Sequence, residues 1–211
     1  MTAMTRDTAA FWDRIARKYA AKPVADAAAY ATTLARTRNY LRDTDRVLEV
    51  GAGTASTAIT LAPLVADYTA SDIAPEMVRI GQEKARAAGL ENLTIRQGVL
   101  GDSALANQPY DAVLAFNLLH LCPDPATEAA KAHALLRPGG YFISKSACLA
   151  DGFSFLRPVI GVMRLIGRAP WVGFLSRAGL EAMIREAGFE IVETGDYPAK
   201  PPAHFIVARK R

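Results

Sequence analysis

Short apolar runs alternate with amphipathic segments along most of the chain, from residue 46 to the end. The apolar runs, which predict strands, lie at 46–50, 68–71, 93–96, 111–116, 141–146, 189–196 and 203–209. The segments that predict helices between them lie near 54–65, 75–88, 123–136 and 176–187. Strands that alternate with helices are typical of a parallel sheet covered by helices on both faces. The pattern therefore predicts an α/β fold.

Apolar residues also recur at helical spacing in two segments before the first strand. The Gly139–Gly140 pair predicts a turn before the fifth strand. No linker divides the chain, so we predict one domain over residues 1–211. Its predicted additions are a helical N-terminal cap at 1–44 and an insertion at 149–175.

Composition and charge narrow the class of protein. With 211 residues, 51% hydrophobic and 22% charged, the chain can bury one sizeable core. The net charge is +4, and the basic residues cluster near both ends of the chain. Neither cluster has aromatic residues interleaved for stacking on bases, so a nucleic-acid surface is disfavoured. Cys122 and Cys148 have neither disulfide-framework nor metal-ligand spacing, and no metal is expected. Lacking a signal-peptide pattern or an apolar segment of bilayer length, the chain is expected in the cytoplasm.

Residues 47–57, VLEVGAGTAST, lead from a buried strand through a turn of small residues into a helix. The first amide groups of a helix lack partners within the helix, so such a turn can bind a ligand through its backbone. Gly51 and Gly53 permit a close approach to that backbone. A dinucleotide fingerprint requires a third glycine where this chain has Ser56, and the lysine motif of a phosphate loop is absent.

Two acidic residues indicate the charge of the ligand. Glu49 lies at the carboxyl end of the first strand, where a carboxylate repels a pyrophosphate and favours an ammonium or sulfonium group. Asp72 ends the second strand, where an acid accepts hydrogen bonds from ribose hydroxyls and repels a phosphorylated ribose. S-adenosylmethionine is a phosphate-free cation with a ribose, and it has the predicted properties.

Three motifs resemble those of the class I S-adenosylmethionine-dependent methyltransferases. They are E-x-G-x-G at 49–53, Asp72 at the tip of the second strand, and LLRPGGYFIS at 135–144. FWDRIARKYA at 11–20 resembles the opening helix of the small-molecule branch of that superfamily. The resemblance implies a Rossmann-like, doubly wound, seven-stranded sheet that is mostly parallel with an antiparallel C-terminal strand. It also implies in-line transfer of a methyl group to a small, partly apolar acceptor.

The resemblance further implies a set of cofactor-binding residues. Glu49 would serve the methionine end of the cofactor, Asp72 would bridge the ribose hydroxyls, and Tyr19 would close over the ligand. The remaining members of the set are Gly51, Ala52, Gly53, Ile73, Met77, Val99, Leu100, Asn117 and Leu118. Plain core packing is the alternative role for Tyr19 and Met77.

Two positions depart from the family pattern. Ala55 stands where a third glycine is frequent, and because alanine is compatible with a helix we expect the helix to begin slightly more rigidly. Residues 98–100, Gly-Val-Leu, stand where the family usually has Gly-Asp-Ala next to the adenine edge. Asp102 is the candidate substitute for the missing acid.

A general base is needed only if the acceptor loses a proton during methyl transfer. His120, in FNLLHLCPD just past the fourth strand, is the candidate base, with a hydrogen-bonded structural histidine as the alternative. The run at 117–120, Asn-Leu-Leu-His, also lacks the Pro-Pro-Tyr/Phe clamp typical of nucleic-acid amino methyltransferases. A nucleic-acid partner is therefore disfavoured.

Residues 153–175 predict an amphipathic helix with Arg157, Arg164 and Arg168 along one stripe and apolar residues opposite. Insertions after the fifth strand lie above the methyl-donor end, so this segment is predicted to border the acceptor. Packing against the cap, a lid over an apolar acceptor and contact with a membrane surface are three open roles.

The expected function is enzymatic methylation of a small molecule by a monomer or homodimer. A non-catalytic S-adenosylmethionine-binding module is one alternative, since it would keep the same cofactor residues. A nicotinamide-dependent oxidoreductase is another, although Glu49 and Ser56 disfavour its pyrophosphate.

Overall fold

The computed structural model describes residues 3–106 and 109–211. Its helices are α1 (Ala3–Ala20), α2 (Ala27–Arg38), α3 (Ser56–Leu61), α4 (Pro75–Ala87), α5 (Pro125–Leu135), α6 (Arg157–Leu165) and α7 (Arg177–Glu186). Its strands are β1 (Arg46–Val50), β2 (Asp67–Asp72), β3 (Leu93–Gln97), β4 (Tyr110–Phe116), β5 (Leu136–Ala147), β6 (Phe189–Ala199) and β7 (Pro202–Lys210). Single-turn 3₁₀ helices lie at Ala62–Leu64, Ser103–Leu105, Leu119–Leu121 and Ser154–Leu156.

The strands of the described residues form one seven-stranded sheet in the order β3-β2-β1-β4-β5-β7-β6. Neighbouring strands from β3 to β5 pair in parallel, whereas β7 is antiparallel to both β5 and β6. The predicted Rossmann-like sheet with an antiparallel C-terminal strand is confirmed.

The strand order places a crevice at the carboxyl end of β1. The chain moves outward from β1 to β2 and β3, and then crosses back to β4 on the other side of β1. In open α/β sheets the ligand binds where the strand order reverses in this way. The residues that follow β1, β2 and β4 are therefore those that can meet one ligand.

Alternating side chains along the central strands enter two separate cores. Val47 and Leu114 belong to the core on one face of the sheet. Leu48, Val113 and Phe142 belong to the core on the other face. Because both faces are covered, successive residues such as Val47 and Leu48 are both buried and apolar, instead of alternating between a buried and an exposed face.

Side-chain caps begin three of the described helices, α2, α5 and α7. Asp26 accepts a hydrogen bond from the N–H of Ala29 at 2.8 Å before α2, and Asp124 accepts one from the N–H of Thr127 at 3.0 Å before α5. These carboxylates satisfy amide groups that have no partner inside the helix. Pro125 then occupies the first helical position, where its missing N–H has no cost.

The fifth strand differs from the sequence prediction. Leu136 pairs with Tyr110, but the next pair is Ala112 with Tyr141, so residues 137–140 bulge out of the ladder. Gly139 adopts a φ of 78° inside this bulge. The expected turn is therefore a bulge within a longer strand, because β4 supplies partners on both sides of it.

The insertion carries a short helix that leaves its apolar side chains exposed. No residue of α6 is buried. Phe155, Val159, Val162, Leu165 and Ile166 are between 53% and 88% exposed. Within residues 3–106 and 109–211, none of the helices has both the length and the apolar character needed to cross a bilayer.

Candidate active site

The turn between β1 and α3 adopts backbone angles that favour glycine. Gly51 and Gly53 have φ angles of 66° and 55°. A Cβ atom on Gly51 would lie 2.8 Å from Cδ1 of Leu118, so this glycine also allows the segment after β4 to approach the turn. Ala52 donates its N–H to the carbonyl oxygen of Ser71 at 2.9 Å, which joins the turn to β2. The turn is therefore held as one wall of the crevice.

Ala55 also adopts a left-handed backbone, with a φ of 58°, and it precedes the first residue of α3. A helix-compatible alanine is expected to stiffen the start of the helix, but this residue precedes α3, so its helical preference does not act there. A left-handed backbone costs a residue with a Cβ about 1 kcal/mol. The methyl group is fully buried, and a Cβ on Gly81 of α4 would lie only 3.0 Å from it, so tight packing holds the strained conformation.

Asp72 fixes the far side of the turn. Its Oδ2 accepts a hydrogen bond from the N–H of Gly53 at 2.8 Å, and its Oδ1 accepts one from the N–H of Ala74 at 2.9 Å. The side chain is buried, and this burial raises the pKa of the carboxyl group although the two backbone amides favour the charged form. Asp72 therefore presents an oriented, amide-bound carboxyl group at the tip of β2.

Glu49 is buried more completely, with 3% of the residue exposed. Its Oε2 accepts a hydrogen bond from the hydroxyl of Tyr68 at 2.8 Å. Burial raises the pKa of Glu49 to about 8, while the bond from Tyr68 lowers it and the nearby charge of Asp72 raises it. A cation that binds beside such a carboxyl group stabilises its ionised form by electrostatic attraction.

A cavity of about 330 Å³ lies at the carboxyl ends of β1, β2 and β4. Every residue that the sequence assigns to the cofactor lines it: Tyr19, Glu49, Gly51, Ala52, Gly53, Asp72, Ile73, Met77, Val99, Leu100, Asn117 and Leu118. They reach it from α1, from α4 and from the carboxyl ends of β1, β2, β3 and β4. The structure thus brings the whole predicted set together, while the contact of each residue with a ligand stays a prediction.

S-adenosylmethionine fits the acidic and apolar residues that line this cavity. Glu49 and Asp72 both face it, and Ile73 and Met77 add apolar surface next to Asp72. The carboxylate of Glu49 can accept more bonds than the one donated by Tyr68, so it can receive an ammonium group. A volume of about 330 Å³ lies within the usual range for small-molecule sites.

The cavity also has lining residues that the sequence analysis missed. Trp12 of α1 lies edge-on to Tyr19, with ring centroids 6.0 Å apart, and both rings border the cavity. Glu128 and Lys131 of α5 border it as an ion pair with 2.7 Å between Oε1 and Nζ. The helical spacing of α5 indicates which residues share a face, but it does not indicate that this face meets the cavity.

His120, the candidate base, is outside the group of described residues that line the cavity. Its Nδ1 accepts a hydrogen bond from the N–H of Ala147 at 3.3 Å, and its carbonyl oxygen accepts one from the N–H of Gly173 at 2.7 Å. Burial lowers the pKa of His120 to about 4. A neutral imidazole whose Nδ1 accepts a bond carries its proton on Nε2, and this arrangement favours the structural role over the catalytic one.

Asp102, the candidate substitute for the acid near adenine, is bound within its own turn. Its Oδ2 accepts a hydrogen bond from the N–H of Val99 at 2.9 Å, and the residue precedes the 3₁₀ helix Ser103–Leu105. Like His120, it is outside the described set of cavity-lining residues. It therefore shapes the loop that carries Val99 and Leu100 instead of facing the cavity.

Comparison with known proteins agrees with this geometry. A family profile described as a methyltransferase domain matches residues 47–140, from β1 into the bulge of β5. A ubiquinone biosynthesis O-methyltransferase of Xylella fastidiosa is 32% identical over 165 residues, which cover 74% of this chain and 65% of the relative. The chain thus spans about 65% of the length of that curated relative.

Solved structures share the fold at low sequence identity. The YcgJ protein of Bacillus subtilis has a TM-score of 0.70 and 17% identity over 86% of this chain and 99% of its own. An S-adenosylmethionine-dependent methyltransferase of Thermotoga maritima has a TM-score of 0.70 and 19% identity over 97% and 100% of the two chains. The strand order and the acidic residues of the cavity agree with the matched profile, so residues 47–140 have the features of a class I, S-adenosylmethionine-dependent methyltransferase domain. Fold and family imply S-adenosylmethionine as its cofactor.

Proposed function

We propose that this protein transfers a methyl group from S-adenosylmethionine to a small, partly apolar acceptor. The observation that carries the proposal is the pair of buried carboxyl groups, Glu49 and Asp72, on one cavity wall beside a glycine turn. The bound cofactor supplies an electrophilic methyl group on a sulfonium. The relative of Xylella fastidiosa is named an O-methyltransferase, which supports a hydroxyl group as the acceptor atom.

Each part of the cofactor has its own candidate residues. Glu49 would bind the amino group, Asp72 the ribose hydroxyls, and Ile73 and Met77 the adenine face. The backbone of residues 51–53 would follow the ligand between them. The remaining cavity residues would enclose it: Tyr19, Val99, Leu100, Asn117 and Leu118. In this proposal the protein contributes orientation and exclusion of water, which together account for much of the acceleration of a displacement reaction.

Calorimetric titration with S-adenosylmethionine, S-adenosylhomocysteine and NAD tests the cofactor assignment. Micromolar binding of the first two without NAD is the expected result, and binding of NAD alone would return the protein to the oxidoreductase alternative. A turnover assay with radiolabelled methyl donor and a panel of hydroxylated aromatic acceptors then tests the activity. If S-adenosylmethionine binds but no labelled methyl group reaches any acceptor, whether soluble in organic solvent or in water, the non-catalytic module would be favoured.

We further propose that residues 1–211 act as one cytoplasmic domain, monomeric or homodimeric, which meets a membrane surface through residues 153–175. Of the large apolar side chains that are exposed in the described residues, most lie between Phe155 and Ile166. No aspartate or glutamate occurs at 152–180, so this segment suits an anionic lipid surface.

Flotation with phosphatidylglycerol and phosphatidylcholine vesicles tests the membrane contact. The protein is expected to float with the anionic vesicles, and Leu165→Asp, at a residue that is 88% exposed, is expected to abolish flotation without loss of fold. Val192→Asp on β6, at an apolar residue that is 45% exposed, is the matched control and should float normally. Absence of the wild-type protein from the anionic vesicles would refute the contact.

A further inference from the structure

A second cavity, which we call the α1–insertion cleft, lies between α1 and the end of the insertion. Its volume is about 540 Å³. Its walls include Asp7, Phe11 and Arg14 of α1 and Arg164, Pro170 and Trp171 of the insertion. Thr8 of α1 borders both this cleft and the cofactor cavity. The two spaces therefore adjoin along α1, as donor and acceptor sites of one reaction must.

Arg14 is held in a defined position across the cleft. Its Nη2 donates a hydrogen bond to the carbonyl oxygen of Gly167 at 2.6 Å, which connects α1 to the segment after α6. Its guanidinium carbon lies 5.3 Å from the centre of the Phe11 ring. A guanidinium has several N–H donors in one plane, so the bond to Gly167 leaves others for a ligand. Arg164 of α6 also lines the cleft.

The charge of the cleft is opposite to that of the cofactor cavity. Among the described residues that line the cleft, Asp7 is the one acid beside Arg14 and Arg164. The cofactor cavity instead has Glu49 and Asp72 buried in its wall. Since like charges repel at short range, a cationic ligand is favoured in the cavity and an anionic one in the cleft.

The apolar part of the cleft indicates the body of that anion. Phe11, Pro170 and Trp171 present two aromatic rings and a proline ring beside the arginines. Aromatic side chains pack against flat apolar groups, and arginine binds carboxylate or phosphate through two parallel hydrogen bonds. We propose that the α1–insertion cleft binds an anionic substituent of the methyl acceptor, a carboxylate, sulfonate or phosphate, carried on an aromatic body. This assignment rests on the proposed function and adds the substrate class.

A pair of fluorescent probes tests the assignment. Anilinonaphthalene sulfonate has the sulfonate, and phenylnaphthylamine has the same rings without it. Both are titrated into protein saturated with S-adenosylhomocysteine, so that the cofactor cavity is filled. The wild-type protein is expected to bind the sulfonate about tenfold more tightly, as for a hydrogen bond to a charged group. Arg164→Met is expected to remove this preference and to leave the affinity for phenylnaphthylamine unchanged.

Arg168→Met is the matched control, because it removes the same charge four residues further along, at a position outside the described lining of the cleft. It should retain the preference for the sulfonate. Equal affinity of the wild-type protein for both probes, or an equal effect of Arg164→Met and Arg168→Met, would overturn the anion site. Failure of S-adenosylhomocysteine to bind in the first titration would instead count against the proposed function.

Discussion

The carboxylate of Asp72 accepts the backbone N–H of Gly53 at 2.8 Å, and this bond joins the tip of β2 to the turn that follows β1. A second bond from Ala74 holds the other oxygen of the same carboxylate. One side chain thus shapes the turn and also presents its charge to the cavity. Changes at Asp72 should therefore affect ligand affinity and the free energy of unfolding together.

Asp72→Ala leaves two backbone amides without their acceptor and removes the proposed ribose ligand. We expect its dissociation constant for S-adenosylhomocysteine to rise by about tenfold or more and its free energy of unfolding to fall by about 1–3 kcal/mol. Asp67→Ala, at the opposite end of the same strand, is the control, because Asp67 forms a partly exposed ion pair with Arg46 at 3.0 Å. Calorimetry and urea unfolding measure both effects. Equal affinities of the two variants would contradict the role of Asp72.

The pKa of Glu49 predicts proton release when the cofactor binds. Burial raises this pKa to about 8, so the carboxyl group is mainly protonated at neutral pH in the free protein. A bound cation favours the ionised form, and the affinity should rise with pH up to about 8, by at most about tenfold per unit. Calorimetry in buffers with different ionisation enthalpies counts the released protons. The amino group of the ligand titrates in the same way with the wild-type protein and with Glu49→Gln, so the difference between the two proton counts belongs to Glu49. An equal proton count for the two proteins would refute the coupling.

The same pKa has the opposite effect on the stability of the free protein. Because the pKa of Glu49 in the folded state, about 8, lies above the ordinary glutamate value of 4.5, the folded state binds the extra proton between these pH values. The contribution of Glu49 to the free energy of unfolding is therefore fully present below about pH 4.5 and is lost as the pH rises through about 8. Urea unfolding from pH 5 to 9 should show a flatter profile for Glu49→Gln, and parallel profiles would contradict the buried carboxyl group.

Gly51 and Gly89 separate backbone strain from a steric clash. Their φ angles are 66° and 65°, but a Cβ on Gly51 would lie 2.8 Å from Leu118, whereas none of the described atoms lies within 4 Å of a Cβ on Gly89. Gly89→Ala should cost about 1 kcal/mol of unfolding free energy from strain alone, and Gly51→Ala should cost about 1–3 kcal/mol more. Adding Leu118→Ala should recover part of the second loss. Equal midpoints for the two single variants in urea would show that the clash relaxes freely.

His120 should matter more for stability than for methyl transfer. Removing its imidazole leaves the partly buried N–H of Ala147 without an acceptor, so His120→Ala should lower the free energy of unfolding by about 1–3 kcal/mol. Once an acceptor is established, the pH profile of kcat/KM should keep its shape, because the group that titrates near pH 4 does not border the cavity. A loss of about 100-fold in kcat at unchanged affinity for S-adenosylhomocysteine would restore the general base.

The sequence predicted the cofactor side of the site because its key residues follow strand ends. In a parallel sheet all carboxyl ends meet at one edge, so Glu49, Gly51 and Asp72 could be brought together by counting strands. The conformation of Ala55 could not be predicted in this way. It depends on how the methyl group of Ala55 packs on Gly81, which lies 26 positions further along the chain.

By itself the sequence determined the α/β order and the carboxyl ends of β1, β2 and β4, and it predicted a cationic ligand, since these follow from local periodicity and from residues a few positions apart. The tertiary structure alone decided that His120 turns toward Ala147, that Glu128 and Lys131 border the cavity, and that Arg14 and Arg164 line the same cleft. These relationships join elements more than 20 residues apart, and helical spacing indicates which residues share a face without indicating what that face meets.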